Sequence, residues 1–195
     1  VVDFTLGEIA YRNALTALAA GVSPVIGATG MSPAQVEEIR AAADRTGVPA
    51  FIAPNFAIGA VLMMLFARQA AKYLPEVEVI ELHHEKKVDA PSGTAMRTIE
   101  LILEGRGERT AVRPAHEEIK VEGARGGDVD GVRVHSVRLP GYVAHQECIF
   151  GGLGQTLTIR HDSIDRVSFM PGVILACQKV RSLQGLVIGL EHLLQ

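Results

Sequence analysis

Glu78-Val79-Ile80-Glu81-Leu82-His83-His84-Glu85-Lys86-Lys87-Val88-Asp89-Ala90-Pro91-Ser92-Gly93-Thr94-Ala95 is the stretch on which the rest of the chain turns. From Val77 to Leu82 β-branched and other apolar residues are interleaved with Glu78 and Glu81, so the stretch enters as a strand. It then delivers His83, His84, Lys86 and Lys87 at the strand's end, followed by Ser92-Gly93-Thr94 and the helical run Ala95 to Leu103. Small hydroxyl-bearing residues at a helix start present backbone N–H groups and a positive dipole end with little bulk. Caps and surface charges of this kind are individually ordinary. Together, within about a dozen residues, they describe a site for a doubly negative small molecule that accepts a proton.

Working outward, Val1 to Thr5 reads as a buried strand, Gly7 to Ala20 as a helix stopped by Gly21, and Val22 to Ile26 as a second strand. Ser32-Pro33-Ala34-Gln35 opens another helix with a Ser cap, Pro at the first position and Gln at the third, and Gly47 ends it. Ala50-Phe51-Ile52 is a third strand. Strands and helices alternating at this spacing predict a parallel sheet with ligands beyond the strands' carboxyl ends, here Phe4-Thr5, Gly27 to Gly30 and Ala53 to Phe56. A plain strand-to-helix turn is the competing reading of Gly27 to Gly30.

Ile58 to Tyr73 is expected to be helical, with Leu62, Leu65, Phe66 and Ala70 on one face and Met63 and Met64 as core filler. Beyond about Glu104 the period becomes two. His116 to Val121, Val132 to Leu139, Tyr142 to Phe150 and Gln155 to His161 read as four strands, separated by Gly123 to Gly127, Pro140-Gly141 and Gly151 to Gly154. Turns this short imply an antiparallel arrangement. Ser168 to Leu183 and Gly189 to Leu194 return to helix. The fold class is therefore α/β: a partial Rossmann-like parallel sheet over 1–54, and an α+β domain with a mainly antiparallel sheet over 55–167. The helices of about 168–195 pack back on the first unit.

Composition sets bounds on partners. Apolar residues are 48% and charged residues 21% of the 195, an ordinary globular balance, and the formal net charge of −3 gives no reason to expect nucleic acid. The most apolar run, Ala50 to Ala67, is broken at Pro54-Asn55 and too short for a bilayer. Cys148 and Cys177 form no framework and read as reduced cytoplasmic thiols. His116, His135, His145, His161 and His192 lack metal-ligand spacing, so no metal is expected.

The stretch 78–95 resembles the signature of the dihydrodipicolinate reductase family, Glu-[Ile/Val]-x-Glu-x-His-x3-Lys-x-Asp-x-Pro-Ser-Gly-Thr-Ala, and every fixed position is met here. The resemblance implies hydride transfer from NADH or NADPH to a cyclic imine dicarboxylate on the diaminopimelate route to lysine, by a cytoplasmic homotetramer. It implies that His83 is the acid and Lys87 the second proton donor. It also implies that His84, Ser92, Gly93 and Thr94 contact the substrate, and that Phe4, Thr5, Gly27, Ala28, Thr29, Ala53, Pro54, Asn55 and Phe56 contact the cofactor. Arg125-Gly126-Gly127-Asp128 resembles the family's mobile loop and reads equally as a hairpin turn, and Arg166 falls in a similar segment without an assigned role.

One departure stands out. The family's Gly-rich G-x-G-x-x-G turn occurs nowhere in the 195 residues, and the first residue is Val. This suggests a fragment, expected to bind dinucleotide poorly and to expose a sheet edge. Two other readings are a related amino-acid dehydrogenase, opposed by the complete signature, and a non-enzymatic assembly module, opposed by the retained His83 and Lys87.

Overall fold

The computed structural model describes residues 1–108 and 116–194. They divide into two units, Val1–Val61 with Val167–Gln195, and Leu62–Arg166.

The first unit is a parallel sheet of β1 (Val2–Asp3), β2 (Val25–Ile26), β3 (Ala50–Ile52) and β9 (Leu186–Ile188), in that order. Helices α1 (Gly7–Ala19) and α2 (Pro33–Thr46) connect the first three strands. Ser32 and Gln35 form the expected capping box, and Gly47 closes α2 in the left-handed conformation at φ 68°. Alanines dominate the helix faces in the core, with Ala10, Ala14, Ala42 and Ala43 packed around Leu18, Ile26, Ile39 and Ile52. The expected buried strand at Val1 to Thr5 is instead a two-residue edge strand. Val1, Val2 and Phe4 are exposed and only Asp3 is buried, because β1 pairs on one side alone. The closing β9 falls between the two expected helical segments, in residues to which no element was assigned. The tail forms a 3-10 turn (Arg166–Phe169), α5 (Met170–Lys179), two further 3-10 turns (Val180–Ser182 and Leu190–Leu193) and this strand between them.

The second unit is a mixed five-stranded sheet in the order β5-β6-β4-β7-β8. Its strands are β4 (Glu76–His83), β5 (Gly127–Val129), β6 (Val132–Arg138), β7 (Ala144–Gly152) and β8 (Gln155–Ser163). One face, Val77, Val79, Val132, Val134, Cys148 and Phe150, packs on Ala67 and Ala71 of α3 (Ile58–Ala71) and on Ala95, Ile99 and Ile102 of α4 (Gly93–Arg106). The stripe that α3 buries is thus the alanine one, with Met63 and Met64 also buried. Of the expected face, Ala70 also packs against this core and Leu62 and Leu65 are half-buried, whereas Phe66 is 54% exposed. Small side chains let the backbones approach. A Cβ on Gly105 would lie 2.1 Å from the Arg68 carbonyl oxygen. Gly105→Ala is expected to cost about 1–3 kcal/mol through overpacking, read as a lower urea midpoint.

Three strand expectations change. Residues 116–121 form no strand. The segment from Gly127 to Val129, placed partly in a Gly-rich break, is β5, joined to β6 by Asp130-Gly131 with both residues at positive φ. Finally, β6 and β7 are not a hairpin, because β4 lies between them, parallel to β6 and antiparallel to β7. Crossing one intervening strand requires about 10 Å, which residues 139–143 can span.

Candidate active site

Strand β4 ends at His83, and its alternation decides which side chains turn toward α4. Glu81 shares the inward face with Val77 and Val79 and is fully buried. A charge in that position must be paired. Arg138, the last residue of β6, lies opposite His83 in the parallel register. Its two terminal nitrogens donate to Glu81 Oε1 at 2.7 Å and Oε2 at 2.9 Å. The Ser92 N–H adds a bond to Oε1 at 3.3 Å, and His83 Nδ1 lies 2.5 Å from Oε2.

Burial alone would raise the Glu81 pKa, but hydrogen bonds from His83, Arg138 and Ser136 outweigh it and hold the carboxyl at about 2. An ionised carboxylate only accepts, so His83 Nδ1 carries the hydrogen and Nε2 is left for chemistry. Because the folded value lies below the ordinary 4.5, this stabilisation is complete above 4.5 and is lost as pH falls toward 2. It amounts to roughly 3 kcal/mol at 1.36 kcal/mol per unit. Urea titrations between about pH 5 and pH 2 are expected to show a steeper loss of stability in the unsubstituted chain than in Glu81→Gln.

The remaining signature residues follow in the loop and helix. Lys87 Nζ donates to Asp89 Oδ1 at 2.7 Å, and Lys87 lowers the Asp89 pKa. Ser92 caps α4, its Oγ accepting from the Ala95 N–H at 3.1 Å. Gly93 and Thr94 form the first turn, whose N–H groups have no intrahelical acceptor by construction. Among the described residues, and apart from its chain neighbours and its own helix backbone, nothing lies within 4 Å of where a Cβ on Gly93 would sit, so packing does not demand the glycine there. The second unit therefore carries His83, His84, Lys87, Ser92, Gly93 and Thr94 on one strand end, loop and helix start.

In the first unit the parallel register brings the carboxyl ends of β1, β2 and β3 together. The Phe4 ring crosses Gly27, where a Cβ would fall 2.1 Å from it, and meets Phe56 with ring centroids 5.3 Å apart. Phe4 is nevertheless 51% exposed. Asp3, buried beneath, accepts from the Thr5 N–H, the Thr5 hydroxyl and Asn13. Burial would raise its pKa, but these bonds bring it below the usual value. Thr29 and Pro54 are exposed, and Asn55 accepts from the Ala57 N–H. Ala28, Ala53 and Phe56 have buried side chains.

The segment Arg125 to Asp128 sits in the β5 hairpin. Arg125 pairs with Glu78 and Glu117, and Gly126 takes positive φ against Val134 and His135. Arg166 is exposed at the start of a 3-10 turn. Among the described residues no group of three His, Cys, Asp or Glu side chains could hold a metal. The sequence alone gives no sign of Arg138, and it presents Glu81 only as a fixed position of the signature. The register that joins them spans 57 residues and leaves no local signal.

The family model for the dihydrodipicolinate reductase amino-terminus matches residues 1–56, and that for the carboxy-terminus matches 59–194. A 4-hydroxy-tetrahydrodipicolinate reductase from Desulfitobacterium hafniense is 59% identical over 195 residues, all of this chain and 73% of the relative. One from Geobacillus thermodenitrificans is 56% identical with the same coverage. A dipicolinate-bound dihydrodipicolinate reductase from Paenisporosarcina superposes with a TM-score of 0.90 at 46% identity, over 98% of this chain and 72% of its own. An amine dehydrogenase from Mycobacterium smegmatis, at 14% identity and a TM-score of 0.55 over 96% of this chain and 73% of its own, shares the fold alone. With both family models matching and relatives this similar over the whole length, the chain belongs to the dihydrodipicolinate reductase family.

Proposed function

We infer that the chain reduces 4-hydroxy-tetrahydrodipicolinate, a cyclic imine dicarboxylate, with NADH or NADPH, on the diaminopimelate route to lysine. The observation that carries the assignment of roles is the Arg138–Glu81–His83 arrangement, which fixes an imidazole with Nε2 available at the end of β4. When bound, the nicotinamide supplies the hydride. His83 Nε2 donates the proton that quenches the negative charge developing on the conjugated imine. Lys87 holds a carboxylate and serves as second proton donor, and exchange of its Asp89 partner for substrate costs little at an exposed pair. His84, Ser92, Gly93 and Thr94 receive the carboxylates at the start of α4.

The first unit fits a nicotinamide cofactor. Exposed Phe4 and Thr5 offer a flat apolar ring and a hydroxyl, and Gly27 to Thr29 and Ala53 to Phe56 provide small side chains and main chain at the strand ends. The second unit takes substrate and assembly. Its outer sheet face, Ile80, Leu82, Val137 and Ile149 among charged neighbours, is half-buried and suits a homotetramer contact. The free thiols of Cys148 and Cys177 suit a cytoplasmic setting, and no described helix is long and apolar enough to cross a membrane.

Lys87→Ala is expected to weaken pyridine-2,6-dicarboxylate binding about tenfold and to lower kcat as well. Calorimetric titration with that diacid and steady-state NADPH oxidation measure the two effects. Unchanged values for both remove Lys87 from the site.

A further inference from the structure

Arg138 sits at a branch point. One guanidinium nitrogen donates to Glu81 Oε1 at 2.7 Å and also to the Asp89 carbonyl oxygen at 2.7 Å. The other donates to Glu81 Oε2 at 2.9 Å and to the Val137 carbonyl oxygen at 2.8 Å. Glu81 in turn holds His83 Nδ1, while Asp89 holds the Lys87 ammonium through its carboxylate. A single planar cation therefore ties the end of β4 to the loop beyond it.

We propose that Arg138 is a positioning residue for the reduction, setting His83 through Glu81 and Lys87 through the Asp89 main chain, so that both proton donors keep one mutual geometry. The inference rests on the reading of His83 and Lys87 in the preceding subsection. Its physical basis is the fork of the guanidinium. Four acceptors in three directions are met by one rigid group, and a lysine ammonium on a flexible stem cannot reproduce that set. Arg138 is largely shielded, with 18% of its side chain exposed, and Glu81 is fully buried, so water does not replace the lost bonds freely.

Arg138→Lys tests the proposal because it keeps the positive charge beside Glu81 while losing the fork. The expected result is a kcat about 10–100-fold lower and pyridine-2,6-dicarboxylate binding about tenfold weaker, with far-UV dichroism unchanged. Imidazole 15N shifts give a third readout. The unsubstituted chain is expected to show hydrogen on His83 Nδ1, held by Glu81, and R138K a partial loss of that Nδ1–H. A lower Tm with kcat, diacid affinity and Nδ1–H all as in the unsubstituted chain shows a merely structural role and overturns the proposal. Should R138K not fold, the charge-neutral pair E81Q/R138M leaves no lone buried charge and carries the kcat and affinity readouts, with the same expected losses. Absence of turnover in the unsubstituted chain, both alone and preceded by amino-terminal residues of a longer relative, counts against the functional reading. An unchanged His83 Nδ1–H in R138K counts against Arg138.

Discussion

Replacing His83 by glutamine is expected to lower kcat about 10²–10⁴-fold while leaving KM for the dicarboxylate within a few-fold. Glutamine keeps an N–H able to reach Glu81, so the buried carboxylate that is 2.5 Å from His83 Nδ1 retains a donor and the fold is spared. What disappears is the titratable Nε2, the only atom of the pair that Glu81 leaves available. The loss corresponds to about 3–5 kcal/mol of transition-state stabilisation, since 1.36 kcal/mol is tenfold in rate. Steady-state NADPH oxidation with freshly generated substrate reads it directly. A kcat within about threefold of the unsubstituted chain removes the acid role from His83.

The second large effect is on stability. Arg138→Met leaves Glu81, at zero exposure, without the cation that contacts both its oxygens. Removing one partner of a buried pair costs about 3–5 kcal/mol, because the remaining charge is neither solvated nor neutralised. Against the 5–15 kcal/mol typical of a whole domain, that is enough to unfold a marginal chain. The companion double substitution E81Q/R138M removes both charges together and is expected to recover most of the loss. Equal destabilisation of the single and double variants in urea contradicts the account of Glu81 as an ion held by Arg138.

The two effects concern one residue read easily from sequence and one not read at all, and the contrast is physical. His83, Lys87 and the Ser92 cap lie within one strand–loop–helix, where residue type, cap chemistry and a long signature are local. The α2 capping box and the β3 strand were legible for the same reason. Arg138 reaches Glu81 because β6 runs parallel beside β4, a pairing set by tertiary packing. The place of β9 beside β3 depends on contacts 136 residues apart in sequence, as in Ala50 with Leu186. The hairpin of β5 could have been found from Asp130-Gly131, a dipeptide that favours two-residue turns. On α3 size alone put Phe66 on the buried face, whereas close packing favoured alanine.

The measurement that bears most directly on the central claim is substrate-dependent oxidation of NADH and NADPH, with and without His83→Gln. It is to be made on this chain and on the chain preceded by amino-terminal residues of the longer Desulfitobacterium hafniense relative. The account predicts oxidation that requires the cyclic imine dicarboxylate and falls at least about 100-fold when His83 is replaced. Oxidation that persists undiminished in His83→Gln, or none in either folded form, would contradict it.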